Sequence, residues 1–321
     1  MRVVTALEYG PAEVLCIEDR PIPTPTRDEA VVEVKAAGVN FMDSYVRSGV
    51  SPSSSLPLLV GVDGAGVVVA AGEQSFASVG DRVAWEYVAG SYAEMVAVPN
   101  NRLVRVPAGV TFEDAAGGLM QGMTAQYLSC VAVPVPKGAV VLVHSAASGV
   151  GRMLTQLSKH RGGNVVATVS TGHKARWARE AGAQHVLVRD EIDDLAAAIR
   201  ELTHGEGVDI VFDGTGKALF KTSMAALRFG GTFVTYGYAG GHIPAIRLWE
   251  QPHGVRLVFV RGDAPEQSAH QWRQRAAQVM DWIGDGTLKV LIDRKYPLED
   301  AVAAHRELES QQTVGKLLLI P

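Results

Sequence analysis

At 321 residues the chain is longer than one average domain, and about 150 residues per domain suggests two. Hydrophobic residues make up 47% of it and charged residues 20%, ordinary globular usage that argues against disorder, and a formal net charge of -4 gives no broad basic field to attract a nucleic acid. Two cysteines without neighbouring His or Cys at ligand spacing, Cys16 and Cys130, exclude a disulfide scaffold; no apolar run nears the roughly 18 residues of a membrane helix and no signal core follows the N-terminus, so a cytoplasmic protein is expected.

Up to about residue 110, alternating or β-branched runs such as AVVEVKAAGV, AGVVVAAG, DRVAWEYV and AEMVAVP are separated by Gly, Pro and Asp turns. They predict a compact, barrel-like β region. TFEDAAGGLMQGMTAQYLSC then reads as a helix, with Thr111 as N-cap and Asp114 three residues on, where a carboxylate meets unpaired backbone N–H groups. This helix is expected to bridge two domains.

From residue 139 apolar runs alternate with amphipathic helices: VVLVH, GRMLTQLSKH, NVVATV, HKARWAREAG, HVLV, DDLAAAIREL, VDIVFD, ALFKTSMAALRFG and TFVTYG, continuing to RLVFV. Strands apolar throughout are buried on both faces, which predicts a doubly wound parallel sheet, a Rossmann-type α/β domain. Beyond it, PEQSAHQWRQRAAQVMDWI and LEDAVAAHRELES read as helices and KLLLIP as a strand, so the C-terminus is expected to return to the first domain.

The sharpest local signal is VVLVHSAASGVGRMLTQLSKH, a strand, a small-residue turn and a helix. Ala147, Ser148, Gly149, Val150 and Gly151 carry little or nothing that would keep backbone amides from a pyrophosphate at the positive end of the helix. The next strand, NVVATV, ends at Ser170, Thr171 and Gly172, without the Asp or Glu that grips ribose hydroxyls in NAD enzymes. His173, Lys174 and Arg176 follow, cations suited to a 2′-phosphate. NADPH is therefore expected over NADH, with Lys174 as the leading phosphate partner.

With that unit in hand, the chain resembles the zeta-crystallin, or NADPH:quinone oxidoreductase, branch of the zinc-free medium-chain dehydrogenase/reductases. The resemblance rests on AAGVNFMDSYVRSG, PLLVGVDGAGVVVAAG, VGDRVAW, GSYAEMVAVP, GLMQGMTAQYL, SAASGVG, FDGTG, TYGYAGG and YPLEDAVAAHRELES, in the family's order. It implies a GroES-like β-barrel catalytic domain, residues 1–120 and 264–321, interrupted by a Rossmann domain, residues 121–263. It also implies a homodimer joined through the edge strand RLVFV, residues 256–260.

In the zinc alcohol dehydrogenases of the same superfamily a Cys, a His and a further Cys or Asp hold the metal. Here Asn40, Phe41 and Asp63 stand in the corresponding stretches, so no metal site is expected. Without a Lewis acid, the resemblance points to hydride addition to a quinone or an α,β-unsaturated carbonyl. It places Asn40, Asp43 and Tyr45 at the catalytic centre, and Asn40, Thr124, Ser170, Lys174 and Gly237 beside the cofactor. Asn and Asp at a bend also cap helices, which is the structural alternative for Asn40 and Asp43. The chain departs from its relatives in three places: Ser51 and a serine run follow Gly49 where many have a Tyr, and Val188 and Gln311 replace a Tyr and an Arg at the NADPH phosphate. Arg189 and Lys316 are the cations considered in their stead. Competing readings are an enoyl-thioester or polyketide enoyl reductase, and a crystallin-like NADPH-binding protein without turnover.

Overall fold

The structure is a computed structural model that describes residues 1–51, 56–252, 254–260 and 268–321. Contact density divides it into Met1–Met123 with Glu266–Pro321, and Thr124–Pro265.

In the first unit β1 (Arg2–Ala6) and β2 (Leu15–Asp19) pair antiparallel. Neither was among the strands read from the sequence, because RVVTA and LCIED are short and only weakly alternating. The alternation of EAVVEVKAAGV produces the longest strand, β3 (Glu29–Val39), and helix α1 (Phe41–Arg47) follows it directly. Next come β4 (Leu58–Leu59), which pairs with β1, then β5 (Gly64–Ala71), β6 (Arg82–Trp85), β7 (Met95–Pro99) and β8 (Leu103–Arg105). Helix α2 (Phe112–Gln126) starts as its sequence dictates, the Asp114 amide donating to Thr111 Oγ1 at 3.0 Å. A π-helical turn, Tyr127–Ala132, ends it. The contact division falls inside α2.

The second unit is a six-stranded parallel sheet. Its elements are β9 (Val140–Val143), α3 (Gly149–His160), β10 (Asn164–Val169), α4 (Gly172–Glu180), β11 (His185–Val188), α5 (Leu195–Glu201), β12 (Val208–Asp213), α6 (Phe220–Ala226), β13 (Leu227–Thr235) and β14 (Arg256–Phe259). Strand order is β11-β10-β9-β12-β13-β14, every pairing parallel. Leu142, Val166, Ile199, Val211, Phe220 and Phe233 form its core, the two phenylalanine rings meeting edge-on at 5.5 Å. One boundary differs from the sequence reading: β13 begins at Leu227 rather than at TFVTYG. A register shift opposite Val208 and Ile210, with Gly230 at φ 74°, lets the strand absorb LRFGG, which looks helical in isolation. Strands run outward from β9 in one direction and from β12 in the other, so the order reverses between them and the loop after β9 opens at the reversal.

The C-terminal stretch returns to the first unit as α7 (Ala269–Gly284), β15 (Ile292–Pro297), α8 (Ala301–Glu309) and β16 (Lys316–Ile320). Strand β16 lies antiparallel to β3, completing the sheet β15-β16-β3-β5-β6-β8, with β7 also on β3. Trp85, Tyr92, Leu103, Leu298, Leu308 and Leu319 belong to one buried core. This barrel-like sheet puts the C-terminal strand beside the chain leading into α1.

Candidate active site

The turn between β9 and α3 begins at Ser145 and caps the helix with Ser148, whose Oγ accepts from the Gly151 amide at 3.2 Å. The first-turn amides of Gly149 and Val150 have no acceptor within the helix, and both residues are half-buried. Gly151 is required by close approach: a Cβ there would lie 2.3 Å from the Ser145 carbonyl oxygen. A strand, a tight turn and a capped helix of twelve residues at the sheet's reversal point thus present open donors to an anion. These residues fit a dinucleotide pyrophosphate.

The turns beside it are pinned from below. Asp213 Oδ1 accepts from the Thr215 and Gly216 amides at 2.6 and 3.1 Å, and Oδ2 accepts from Ser223 Oγ at 3.2 Å. His144, fully buried, bridges Thr168 Oγ1 (2.8 Å) and Ser223 Oγ (3.0 Å), and burial pushes its pKa down to about 4. It is a neutral tie between β10 and helix α6. Gly237 sits against the Gly214 turn, where a Cβ would come 2.8 Å from the Gly214 oxygen.

At the end of β10, Ser170 is half-buried and accepts at its carbonyl from the Asp190 amide, 3.2 Å. Lys174, in the first turn of α4, is 7% exposed, so it is not a freely solvated side chain. Arg176 is exposed and its guanidinium lies 4.3 Å from the Trp177 ring centre. The structure adds an acid that the sequence reading lacked: Glu191 Oε1 would lie 3.2 Å from a Cβ on Gly172. It arrives from the turn after β11, too far along the chain to be seen as part of the β10 signal. Arg189 in that same turn is half-buried, with its Nε lacking a partner.

In the first unit a second polar group of residues gathers at the start of α1. Asn40 is its N-cap, and the Asn40 amide donates to Asp43 Oδ2 at 2.9 Å, half of a capping box. The Asn40 side chain is engaged on both ends: Nδ2 donates to Asp63 Oδ1 (2.7 Å) and Oδ1 accepts from Lys316 Nζ (2.5 Å). Lys316 also pairs with Asp63 Oδ2 at 3.2 Å, the two side chains 3% and 1% exposed. Gln121 of α2, with its amide oxygen turned to Lys316, accepts from Nζ at 2.6 Å and donates to the Gly117 carbonyl at 3.2 Å. Gly38 makes room, since a Cβ there would lie 2.6 Å from both Asp63 Oδ1 and Lys316 Cε.

This arrangement corrects one expectation. Lys316, considered for the NADPH phosphate, has its ammonium donors turned inward to Asn40, Asp63 and Gln121 and cannot reach a cofactor phosphate. It also tests a metal. Asn40 and Asp63 close on an ammonium instead of presenting free lone pairs, and among the described residues no three His, Cys, Asp or Glu side chains are grouped to hold an ion. A zinc ion does not fit this donor set.

Asp43 is buried, and burial, then the neighbouring Asp63, raises its pKa to about 7. Tyr92 Oη donates to its Oδ2 at 2.9 Å. Tyr45 is half-buried, its ring 6.3 Å from that of Phe41. Thr124, half-buried on α2, and Ala147, 3% exposed, complete the predicted set. The structure therefore brings Asn40 and Asp43 together at the start of α1, and Ala147, Ser148, Gly149, Val150 and Gly151 where the turn after β9 enters α3. Ser51 is exposed and its amide bonds the Tyr45 carbonyl at 3.0 Å; the rest of the serine run, residues 52–55, lies outside the described residues. Sequence reasoning missed Tyr92, Glu86 and His305, whose Nε2 lies 3.3 Å from Tyr92 Oη, and read Lys316 only as a phosphate cation. Glu86 is buried with the Trp272 indole donating to it at 2.7 Å, and burial raises its pKa to about 7. Of these only Tyr92 and His305 fall inside stretches quoted for the family resemblance, and neither carries a local signal of its role.

Comparison with known proteins agrees with this geometry. Residues 26–128 match the alcohol dehydrogenase GroES-like domain family and residues 149–280 the zinc-binding dehydrogenase family. A probable quinone oxidoreductase of Schizosaccharomyces pombe is 34% identical, over 99% of this chain and 96% of that one. A 2-haloacrylate reductase of Burkholderia is 33% identical, over 95% and 94%. The solved structure of Escherichia coli quinone oxidoreductase complexed with NADPH superposes with a TM-score of 0.96 at 31% identity, covering 100% of both chains. With two family matches that together span residues 26–128 and 149–280 and quinone oxidoreductases alike from end to end, the chain belongs to the quinone oxidoreductase branch of the medium-chain dehydrogenase/reductase superfamily.

Proposed function

We infer that the protein is an NADPH-dependent oxidoreductase that reduces quinones or α,β-unsaturated carbonyls. Bound NADPH supplies the hydride, and the acceptor's own electron deficiency replaces a Lewis acid. The observation that carries this reading is the β9–α3 turn, where Gly151 brings the helix start against the strand and the Gly149 and Val150 amides stay open. Relatives on both sides, the NADPH-complexed E. coli enzyme and the 2-haloacrylate reductase, support the cofactor and the electron-poor acceptor.

In this reading Ser148, Gly149, Val150 and Gly151 hold the pyrophosphate, Lys174 meets the 2′-phosphate, and Ala147, Ser170, Thr124 and Gly237 line the cofactor. Asn40, immobilised by Lys316 and Asp63, orients the reacting groups, with Asp43 and Tyr45 beside it. The molecule works as a cytoplasmic homodimer joined through β14, the outermost strand of the second sheet, which exposes Leu257 (40%) and Phe259 (68%). The test is NADPH oxidation against a panel of quinones, enals and enoyl thioesters, beside NADH. Turnover with quinones or enals is expected. Preference for thioesters would move the protein to the enoyl reductases, and NADPH binding without turnover would leave a crystallin-like role.

A further inference from the structure

The Tyr92–Asp43 bond is the end of a longer file that begins at Arg47 and passes through His305. Arg47 Nη1 is 3.1 Å from His305 Nδ1, His305 Nε2 is 3.3 Å from Tyr92 Oη, and Tyr92 Oη is 2.9 Å from Asp43 Oδ2. Arg47, His305, Tyr92 and Asp43 are each at most 3% exposed. A guanidinium only donates, so His305 Nδ1 accepts and Nε2 carries the hydrogen. Burial, then the Arg47 charge, holds His305 neutral by lowering its pKa to about 3. Nε2–H therefore donates to Tyr92, and the Tyr92 hydroxyl donates to Asp43.

Every bond points one way, toward Oδ2. The Asn40 amide and Nδ2 donate to the same oxygen, at 2.9 and 3.3 Å. Oδ1 is as deeply buried and has no hydrogen-bond partner. With three donors on Oδ2 and none on Oδ1, an anionic oxygen at Oδ1 would be buried unbonded, which favours the protonated carboxyl. The charges around it agree. Lys316 on β16 is paired with Asp63, ahead of β5, and Arg47 on α1 is paired with Glu309 on α8 at 2.5 Å. Tyr92 and His305 face Asp43 uncharged, so Asp43 is the carboxyl of this cluster left without a cation.

We propose that Tyr92 and His305 are positioning residues for the reduction: their one-way file locks Asp43 by its Oδ2 edge and leaves Oδ1 to carry an exchangeable proton. The proposal rests on Asp43 serving the reduction inferred above. Hydride addition leaves the acceptor one proton short; that proton leaves Oδ1, and the carboxylate left behind regains a proton from solution before the next turnover. The file sets this proton without feeding it, because it begins at Arg47, which does not deprotonate.

The test follows the infrared carbonyl band of a protonated carboxyl, identified by its loss in Asp43→Asn, against pH in the NADPH-bound enzyme, with kcat profiles in parallel. In the wild type the band should vanish with a midpoint of about 7. Tyr92→Phe removes a donor that favours the anion, so its midpoint should rise by on the order of one pH unit. His305→Ala should move it less, and His305→Gln, whose amide accepts from Arg47 and donates to Tyr92, should restore it. The alkaline limb of kcat should follow in each. No carboxyl band between about pH 5 and 9, or an unmoved midpoint in folded Tyr92→Phe, would overturn the proposal. A midpoint that moves under an unchanged kcat profile also overturns it, by taking Asp43 out of the reaction, while NADPH-dependent reduction itself stands.

Discussion

The two units handle polar groups in opposite ways. Residues 124–265 leave backbone donors open, at a helix start where the strand order of a parallel sheet reverses. Residues 1–123 with the C-terminal segment close theirs, with Asn40, Asp63, Gln121 and Lys316 bonded to one another in the interior. The open arrangement depends on shape, so small side chains suffice. The closed one depends on identity, since each member satisfies another and a single replacement strands its neighbour.

The comparison breaks first at Lys316. Lys316→Met strands Asp63 as a buried, unpaired charge and should cost about 3–5 kcal/mol in chemical denaturation. Lys316→Met with Asp63→Asn should recover most of it. A single-variant loss under about 1 kcal/mol would mean the pair behaves as a solvated surface pair. On the open side, Lys174→Ala should weaken NADPH binding by about 1.5–3 kcal/mol and leave NADH unchanged, as read by titration calorimetry. Equal loss for both would return Lys174 to a structural role.

Gly151→Ala sharpens the contrast within the cradle. Its Cβ would meet the Ser145 oxygen at 2.3 Å, so α3 must shift, at about 1–3 kcal/mol of stability and with loss of NADPH affinity. Unchanged unfolding would show the approach to be loose.

Asp43→Asn is the mildest change and tests the closed side by pH. The folded-state pKa of Asp43, about 7, lies above its ordinary 3.8, so the native state holds a proton that the unfolded chain has lost. Its contribution to stability is complete below about 3.8 and is lost as pH rises through about 7. Wild type should therefore fall relative to Asp43→Asn across that window, by at most about 1.4 kcal/mol per pH unit. Parallel curves would place an ordinary ionised aspartate at this position.

The same contrast explains what the sequence discloses. The cradle is contiguous, a strand, turn and helix within residues 140–160, and its small residues announce it. Parallel strands likewise read as unbroken apolar runs. The closed cluster is assembled from remote pieces: Lys316 meets Asn40 across 276 residues and His305 meets Tyr92 across 213. Apart from the family resemblance, Asn40 and Asp43 are legible only as residues at a bend, and their capping role and their burial share one geometry. Lys316 looked like a phosphate cation because a lysine near the C-terminus has no local feature that says which way it points. Glu191 was invisible as a neighbour of Gly172 for the same reason, the two being joined by sheet pairing between β10 and β11 rather than by spacing.

The central claim is that the β9–α3 turn holds the cofactor, and Gly149→Val tests it most directly. A branched side chain at the first helical position would fill the space beside the open amides while leaving the first unit untouched. Titration calorimetry with NADPH, paired with thermal unfolding, should show binding abolished in a protein that still unfolds cooperatively. Normal NADPH affinity in folded Gly149→Val would place the cofactor elsewhere and contradict the account.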